Sequence, residues 1–323
     1  MQPFDSLMTD SMAVNFLPIA VVVPTYNRPV ALKATLLSLS KQSYLPKQVV
    51  VIDASDKEAG QWPAAQAELE AIINIDYYPA DQKGAASQRN QGVKSANQPF
   101  ILFMDDDVFL ETGCIAHLWD CIQSDKSIGG VNAMITNQKY TQPGKLTLFM
   151  ARVFTGYSLP SLAGRCIGPG WNFLPQDGED LPPYVRVEWL NSTCTLYRKE
   201  ALPDPVFGCH FTGYSLMEDL TLSLQVGKQW RLFNSRVSRI YHDTQPGDHK
   251  KSVFALARMS VVNRYFITHS ILNRTYPRAS ILLLESFFLL SMLSSFKNIR
   301  HIPAKLLGIL AGMWSTYTKK YEA

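Results

Sequence analysis

The sequence predicts an α/β fold on an open, mostly parallel, doubly wound sheet, and three observations lead there. Runs of β-branched and apolar residues recur between residues 19 and 104, continuous enough for strands buried on both faces. Helix-period segments separate these runs, the alternation that gives parallel strands. The strongest runs end in polar or acidic residues, and ligands of such sheets bind outside the carboxyl ends of the strands.

In chain order, residues 1–17 read as a loose leader. Their two aspartates and the lack of a basic segment are not the pattern of a signal peptide. Ile19–Val23 is the first predicted strand, followed by a helix from about Pro29 to Lys41. Val49–Ile52 is the second strand. A helix around Ala64–Ile73 leads to a short strand at Ile75–Tyr78. A helix over Ala85–Ala96 and a strand at Phe100–Met104 complete the regular part. Beyond residue 111 the pattern loosens to one helix, Ile115–Ile122, and one strand, Gly130–Ile135. The Gly/Pro-rich stretch from Gly164 to Pro183 reads as a functional loop or as disorder. The last seventy or so residues are helical, rich in Leu, Phe, Ile and Met and dotted with Arg and Lys.

A chain of 323 residues with 46% hydrophobic content can bury a large core. A net charge of +4, without RNA-binding or zinc-finger spacing, argues against a nucleic-acid partner. The five cysteines are odd in number and have no C-x-x-C pair, the usage of reduced thiols rather than of a disulfide framework.

Four motifs carry the chemistry. In Val21-Val-Val-Pro24-Thr25-Tyr26-Asn27-Arg28-Pro29 the strand stops at Pro24, and Thr25 or Asn27 can cap the next helix with Pro29 in its first turn. Tyr26 would then be placed to pack on a base and Arg28 to meet a phosphate; a plain strand–turn–helix reads equally well. Asp53, after the second strand, suits a base or ribose, or a turn. Asp105-Asp106-Asp107 puts three mutually repelling carboxylates at the end of a buried strand, a conflict that a divalent cation removes, with a solvated acidic turn as the other reading. In extended geometry Asp105 and Asp107 face the same way. Glu218-Asp219 opens an amphipathic helix, as a catalytic pair or as ordinary N-terminal acids.

With these pieces in order, the chain resembles the inverting GT-A glycosyltransferases grouped as family 2. There a V-x-V-P-T-Y-N-R opening, an aspartate after the second strand, a D-x-D strand end and a later E-D pair recur in this order. Here they are Val21–Arg28, Asp53, Asp105–Asp107 and Glu218–Asp219. Lys83-Gly84-Ala-Ala-Ser-Gln88-Arg89-Asn90-Gln-Gly92 resembles the family's G-x-x-x-A-R-N-x-G stretch, with Gln88 in place of alanine. The likeness covers about residues 18–245.

The resemblance implies roles. Pro24, Thr25, Tyr26, Arg28, Asp53, Arg89 and Asp105 would line the nucleotide. Asp105, Asp107 and His242 would hold Mn²⁺ or Mg²⁺, with His249 the alternative histidine. Asp219, beside Glu218, would be the catalytic base. The donor expected is a UDP- or dTDP-sugar in preference to a GDP-sugar, and the acceptor a glycan or lipid-linked hydroxyl. Residues 18–110 would form the nucleotide-sugar half, 111–245 the acceptor and catalytic half, and 246–323 a helical extension. Trp189 reads as a core residue or an acceptor platform. Val261-Val-Asn263-Arg264-Tyr265 lacks the Gln and Trp of the Q-x-x-R-W found in processive members, which favours single transfer. A sugar nucleotidyltransferase would need a Gly-rich triphosphate loop after the first strand, and Pro24–Pro29 has no glycine. A non-catalytic, membrane-associated scaffold is the reading outside enzymology.

Ala279–Phe296 is an apolar run with one charge, Glu285. Its Leu, Ile and Phe favour insertion by about 3–6 kcal/mol in all, and a central acid costs about 2.5–3.5. The near-balance favours in-plane helices at the cytoplasmic face of a membrane over a span; the same helices would also serve to cover the catalytic domain or to pair in a homodimer.

Overall fold

Alternate residues of the first strand enter two different cores. Val21 and Val23 join one apolar cluster with Leu32, Leu36 and Leu39 of the following helix. Ala20 and Val22 join another with Ala86 and Val93. This is the period-2 signature of a strand buried on both faces, so the continuous apolar run has a direct structural cause. The computed structural model describes residues 15–56, 69–208, 211, 215–244, 252–293 and 296–318. Most of the expected leader, the first half of the helix expected near 64–73, and His249 lie outside the described residues.

The elements run β1 (Asn15–Thr25), α1 (Pro29–Ser40), β2 (Tyr44–Asp53), β3 (Ile75–Pro79), α2 (Ala85–Ser95), β4 (Phe100–Met104) and β5 (Val108–Leu110). Then follow α3 (Cys114–Ser124), β6 (Ile128–Ile135), α4 (Lys145–Thr155), β7 (Cys166–Ile167), β8 (Trp171–Asn172), β9 (Tyr184–Val187) and β10 (Cys194–Arg198). After α5 (Glu218–Val226) and β11 (Arg231–His242) the chain closes with α6 (Val253–Phe266), α7 (Pro277–Met292), α8 (Phe296–Ile299) and α9 (Ile302–Tyr317). β1 starts inside the stretch read as leader, because Asn15, Phe16 and Leu17 pair with Tyr44, Leu45 and Pro46 of β2.

The sheet order is β3-β2-β1-β4-β10-β6-β11-β5, with β9 added on β11. β1 to β4 are parallel, as the alternation predicts. β10 enters antiparallel between β4 and β6. The carboxyl ends of β1, β2 and β4 therefore share one edge, and the end of β11 is brought to it by antiparallel pairing with β5, which follows the aspartates. On one face, α2 approaches β1 closely: a Cβ at Gly92 would collide with the Val22 side chain. That contact explains a glycine inside a helix, where it otherwise costs about 1 kcal/mol.

The C-terminal helices pack as a unit. α9 lies against α6 through Gly308 and Gly312, where added Cβ atoms would meet Ala257 Cβ at 2.8 Å and Val261 Cβ at 2.7 Å. Glu285 is buried: it accepts from Ser260 Oγ at 3.1 Å and lies 3.5 Å from Arg264 and 3.9 Å from Lys305. Its charge thus ties α6, α7 and α9 together. No helix among the described residues is long and apolar enough to cross a membrane.

Candidate active site

The three aspartates after β4 differ in their partners. Asp106 turns inward, accepting from Thr25 Oγ1 at 2.7 Å and Arg28 Nη1 at 3.2 Å. Its backbone carbonyl accepts from the Thr35 hydroxyl at 2.9 Å, and the same hydroxyl accepts from Val108 N–H at 2.9 Å. Burial pushes the Asp106 carboxyl up to about 6, against the pull of Thr25 and Arg28. Thr25 is therefore not a helix cap. α1 begins at Pro29, Arg28 stands at its N-cap with no side-chain cap, and the cap expected from Thr25 or Asn27 is absent because Asp106 draws the Thr25 hydroxyl.

Asp105 and Asp107 meet His242 instead, from a turn just past the strand and not from extended backbone, and Arg28 Nη1 also reaches Asp107 Oδ2 at 3.4 Å. One ligand atom from each of Asp105, Asp107 and His242 lies within 4.8 Å of the others. His242 Nε2 is 3.0 Å from Asp107 Oδ1. Backbone and amide bonds fix that meeting. Asp243 N–H donates to the Asp107 carbonyl at 2.9 Å, and Asn137 brackets His242, donating to its carbonyl at 2.8 Å and accepting from its N–H at 3.2 Å. Two carboxylates and an imidazole are a donor set for Mn²⁺ or Mg²⁺, leaving further positions for phosphate oxygens or water.

Arg89 is almost wholly buried, yet it borders the same cavity. Its Nη2 donates to Asp105 Oδ1 at 2.6 Å and its Nη1 to Glu218 Oε1 at 3.2 Å. One guanidinium thus links the end of β4 to the start of α5. Met217, in a left-handed turn at φ 69, aims Glu218 and Asp219 into the cavity. Burial pushes both carboxyls above the usual range, and Glu218 further, because it also faces the charge of Asp219. The Leu220 N–H donates to Asp219 Oδ1 at 2.7 Å and offsets part of that rise.

The cavity measures about 1120 Å³ and takes in Pro24, Thr25, Tyr26, Arg28, Arg89 and the three aspartates at one strand edge. Asp53 does not line it. Its carboxylate accepts from the Tyr77 hydroxyl and from Ser55 N–H at 2.7 Å, which shapes the loop behind. That loop places Asp56, paired with Lys83 at 2.7 Å, against Tyr26, and the Lys83 ammonium sits 4.8 Å from the Tyr26 ring centre. Trp189 lines the cavity but is buried, its indole N–H donating to Phe173 O at 2.7 Å.

Sequence reasoning missed Thr35, Asn137 and Lys83. Thr35 carried a signal: a lone hydroxyl on the buried apolar stripe of α1. Asn137 carried none, because its partner is a backbone far away in sequence. Gln88, which stands where the family pattern has alanine, donates to Thr25 O at 2.8 Å and Ile52 O at 2.7 Å, pinning the ends of β1 and β2 together.

The family model described as glycosyl transferase family 2 matches residues 20–204. The chain belongs to glycosyl transferase family 2. An uncharacterized glycosyltransferase YwdF of Bacillus subtilis is 30% identical over 151 residues, covering 43% of this chain and 54% of the relative. The GalNAc(5)-diNAcBac-PP-undecaprenol beta-1,3-glucosyltransferase of Campylobacter jejuni is 29% identical over 105 residues, 31% of this chain and 33% of that protein. The matches thus span about half or less of these relatives. A crystal structure of GalNAc-T7 with UDP, GalNAc and Mn²⁺ superposes with a TM-score of 0.54 at 15% identity, covering 81% of this chain and 53% of that one. That likeness is one of fold, and the fold is GT-A.

Proposed function

We propose that the chain is an inverting glycosyltransferase. It moves a sugar from a nucleoside-diphosphate sugar, a UDP- or dTDP-sugar in preference to a GDP-sugar, to a hydroxyl of a glycan or lipid-linked acceptor at a membrane surface. One observation carries the reading: a two-carboxylate, one-imidazole cluster and a half-buried acid pair border one cavity, and Arg89 couples them. GalNAc-T7, of the same fold, is described with UDP, GalNAc and Mn²⁺, and the Campylobacter relative is named for an undecaprenol-linked substrate.

Asp105, Asp107 and His242 would hold the cation. When bound, a divalent cation supplies positive charge against the diphosphate as it departs. Tyr26 offers a face to the base, and Arg28 and Lys83 add positive charge at the same edge. Asp219 takes the proton of the acceptor hydroxyl as that oxygen attacks the anomeric carbon from the side opposite the diphosphate. The bond from the anomeric carbon to the diphosphate oxygen breaks as the new glycosidic bond forms, so the configuration inverts. Glu218 is held by Arg89, which leaves Asp219 as the base. Residues 18–110 would carry the donor, 111–245 the acceptor side, and 246–323 the contact with the membrane.

The test is release of nucleoside diphosphate from a panel of nucleotide sugars, with and without Mn²⁺. The expected result is metal-dependent release with one or two donors, lost in Asp219→Asn. Metal-independent release, or full activity in that variant, sinks the reading.

A further inference from the structure

The C-terminal helices are apolar on both sides. α7 buries Ile281, Leu284 and Glu285, and α9 buries Gly308, Ile309, Gly312 and Met313. A helix covered on one face normally turns charge to the water on the other. Here Leu306, Leu307, Leu310, Trp314 and Tyr317 of α9 are all exposed, Trp314 at 66%. Leu282, Leu283, Leu290 and Leu293 repeat the same spacing along α7 and just past its end, with Leu290 at 65%. Each stripe lies on the face of its own helix opposite the residues that helix buries: α9 gives Ile309 and Met313 to the cluster around Val261 of α6, and α7 gives Ile281 to that cluster and Leu284 to a second one around Trp171.

What covers these stripes is decided by charge. Between residues 252 and 318 the sole acid is Glu285, and it is buried among Arg264, Lys305 and Ser260. Arg258, Arg274 and Arg300 of the same segment are exposed. A second copy docked through this face would bring cations together with no exposed acid of the segment to meet them. An anionic bilayer supplies both an apolar layer for the leucines and phosphates for the arginines. Trp314 and Tyr317 suit the boundary between the two.

We propose that α7 and α9 seat this protein in the plane of an anionic bilayer surface, with their leucine stripes at the acyl boundary and the arginines at the headgroups. The surface is tied to the cavity by one loop. Trp171 packs on Phe287 and Phe288 of α7, with ring centres 5.4 and 5.7 Å apart, and its neighbour Asn172 lines the cavity. Arg264 of α6 fixes that loop by donating to the Pro169 carbonyl at 3.0 Å and the Gly170 carbonyl at 2.5 Å. A lipid-linked acceptor would therefore be presented beside the cavity wall, a consequence that rests on the glycosyltransferase reading; the docking itself does not.

The test is co-sedimentation of the full chain with vesicles of equal parts phosphatidylglycerol and phosphatidylcholine, against phosphatidylcholine alone. Binding is expected to the anionic vesicles. The double variant Leu307→Glu with Leu310→Glu should lower the bound fraction about ten-fold or more, and Arg300→Glu about two- to five-fold in a manner that high salt erases. Circular dichroism and diphosphate release in vesicle-free buffer should match the wild type for all three substitutions. Absent vesicle binding, or equal binding by the double variant, overturns the proposal. So does a stable wild-type dimer in solution that the double variant converts to monomer, since a second copy then covers the stripes. Vesicle binding needs neither donor nor acceptor, so a failed transfer assay with intact binding counts against the proposed reaction and not against this surface.

Discussion

Arg89 donates to Glu218 at 3.2 Å while its other terminal nitrogen holds Asp105 at 2.6 Å. The bridge explains how a strand end and a helix start, both acidic, are kept side by side in a low-dielectric setting. Removing the guanidinium leaves those carboxylates without their countercharge. Arg89→Met should destabilise the fold by about 3–5 kcal/mol in denaturant titration. Arg89→Lys, which lacks the fork, should recover only part of that loss.

Glu218→Gln should trade activity for stability. Desolvation and the neighbouring charge of Asp219 hold the half-buried Glu218 carboxyl well above its unfolded value, so the fold favours the protonated form. Its contribution is fully present below the unfolded pKa and is lost as pH rises through the folded one. The neutral amide keeps an acceptor for Arg89 and escapes that loss. Thermal melts should show the variant ahead of wild type by about 1–3 kcal/mol at pH 8, with the gap closing towards pH 4.

Asp219→Asn should lower turnover by about 10²–10⁴-fold while diphosphate binding survives. As the proposed base, Asp219 must be ionised, and burial raises its carboxyl. The acid limb of the kcat/KM profile should therefore lie above the ordinary aspartate value of about 3.9. A profile flat from pH 8 to pH 4.5 contradicts the assignment.

Asp107→Asn should abolish cooperation between metal and nucleotide. With the Mn²⁺–UDP complex at about 100 times its dissociation constant, the wild type should gain about 2.7 kcal/mol of stability, and the variant almost none. His242→Ala should retain part of the gain, because two carboxylates remain. Differential scanning fluorimetry separates the three proteins.

Gly308→Ala should loosen α9 from α6. The added methyl meets Ala257 Cβ at 2.8 Å and crowds the Phe254 carbonyl, so the helices must part. A loss of about 1–3 kcal/mol is expected by chemical denaturation. The same substitution at Gly144, where a Cβ would meet nothing, should be nearly neutral.

The parts of the fold legible in the sequence are those whose burial is apolar. β1, β2 and β4 announce themselves as unbroken runs, and the aspartates after β4 stand out because nothing structural wants three together. β10 and β11 escaped, although both are largely buried. β10 carries Thr195, whose hydroxyl bonds back to the Asn191 carbonyl. β11 buries Asn234 against Asn132 at 2.9 Å and Ser235 against Ser238 at 2.7 Å. Polar groups satisfied by partners distant in sequence or across a bulge erase the hydrophobic signal.

The sequence by itself determined the parallel half of the sheet, the acidic strand end, the acid pair opening α5 and the family resemblance that the ordered motifs carry. Local pattern suffices there, since strand period and charge crowding are properties of neighbours in the chain. Only the tertiary structure decided which charges meet. It turned Asp106 inward to Thr25 and Arg28, brought His242 to Asp107 through the pairing of β11 with β5, and set Arg89 between Asp105 and Glu218. It also placed Glu285, which in sequence only interrupts an apolar run, inside a polar seam beneath two exposed leucine stripes. Each of these contacts joins elements far apart in the chain, and their energy depends on distance and burial, which one-dimensional order does not encode.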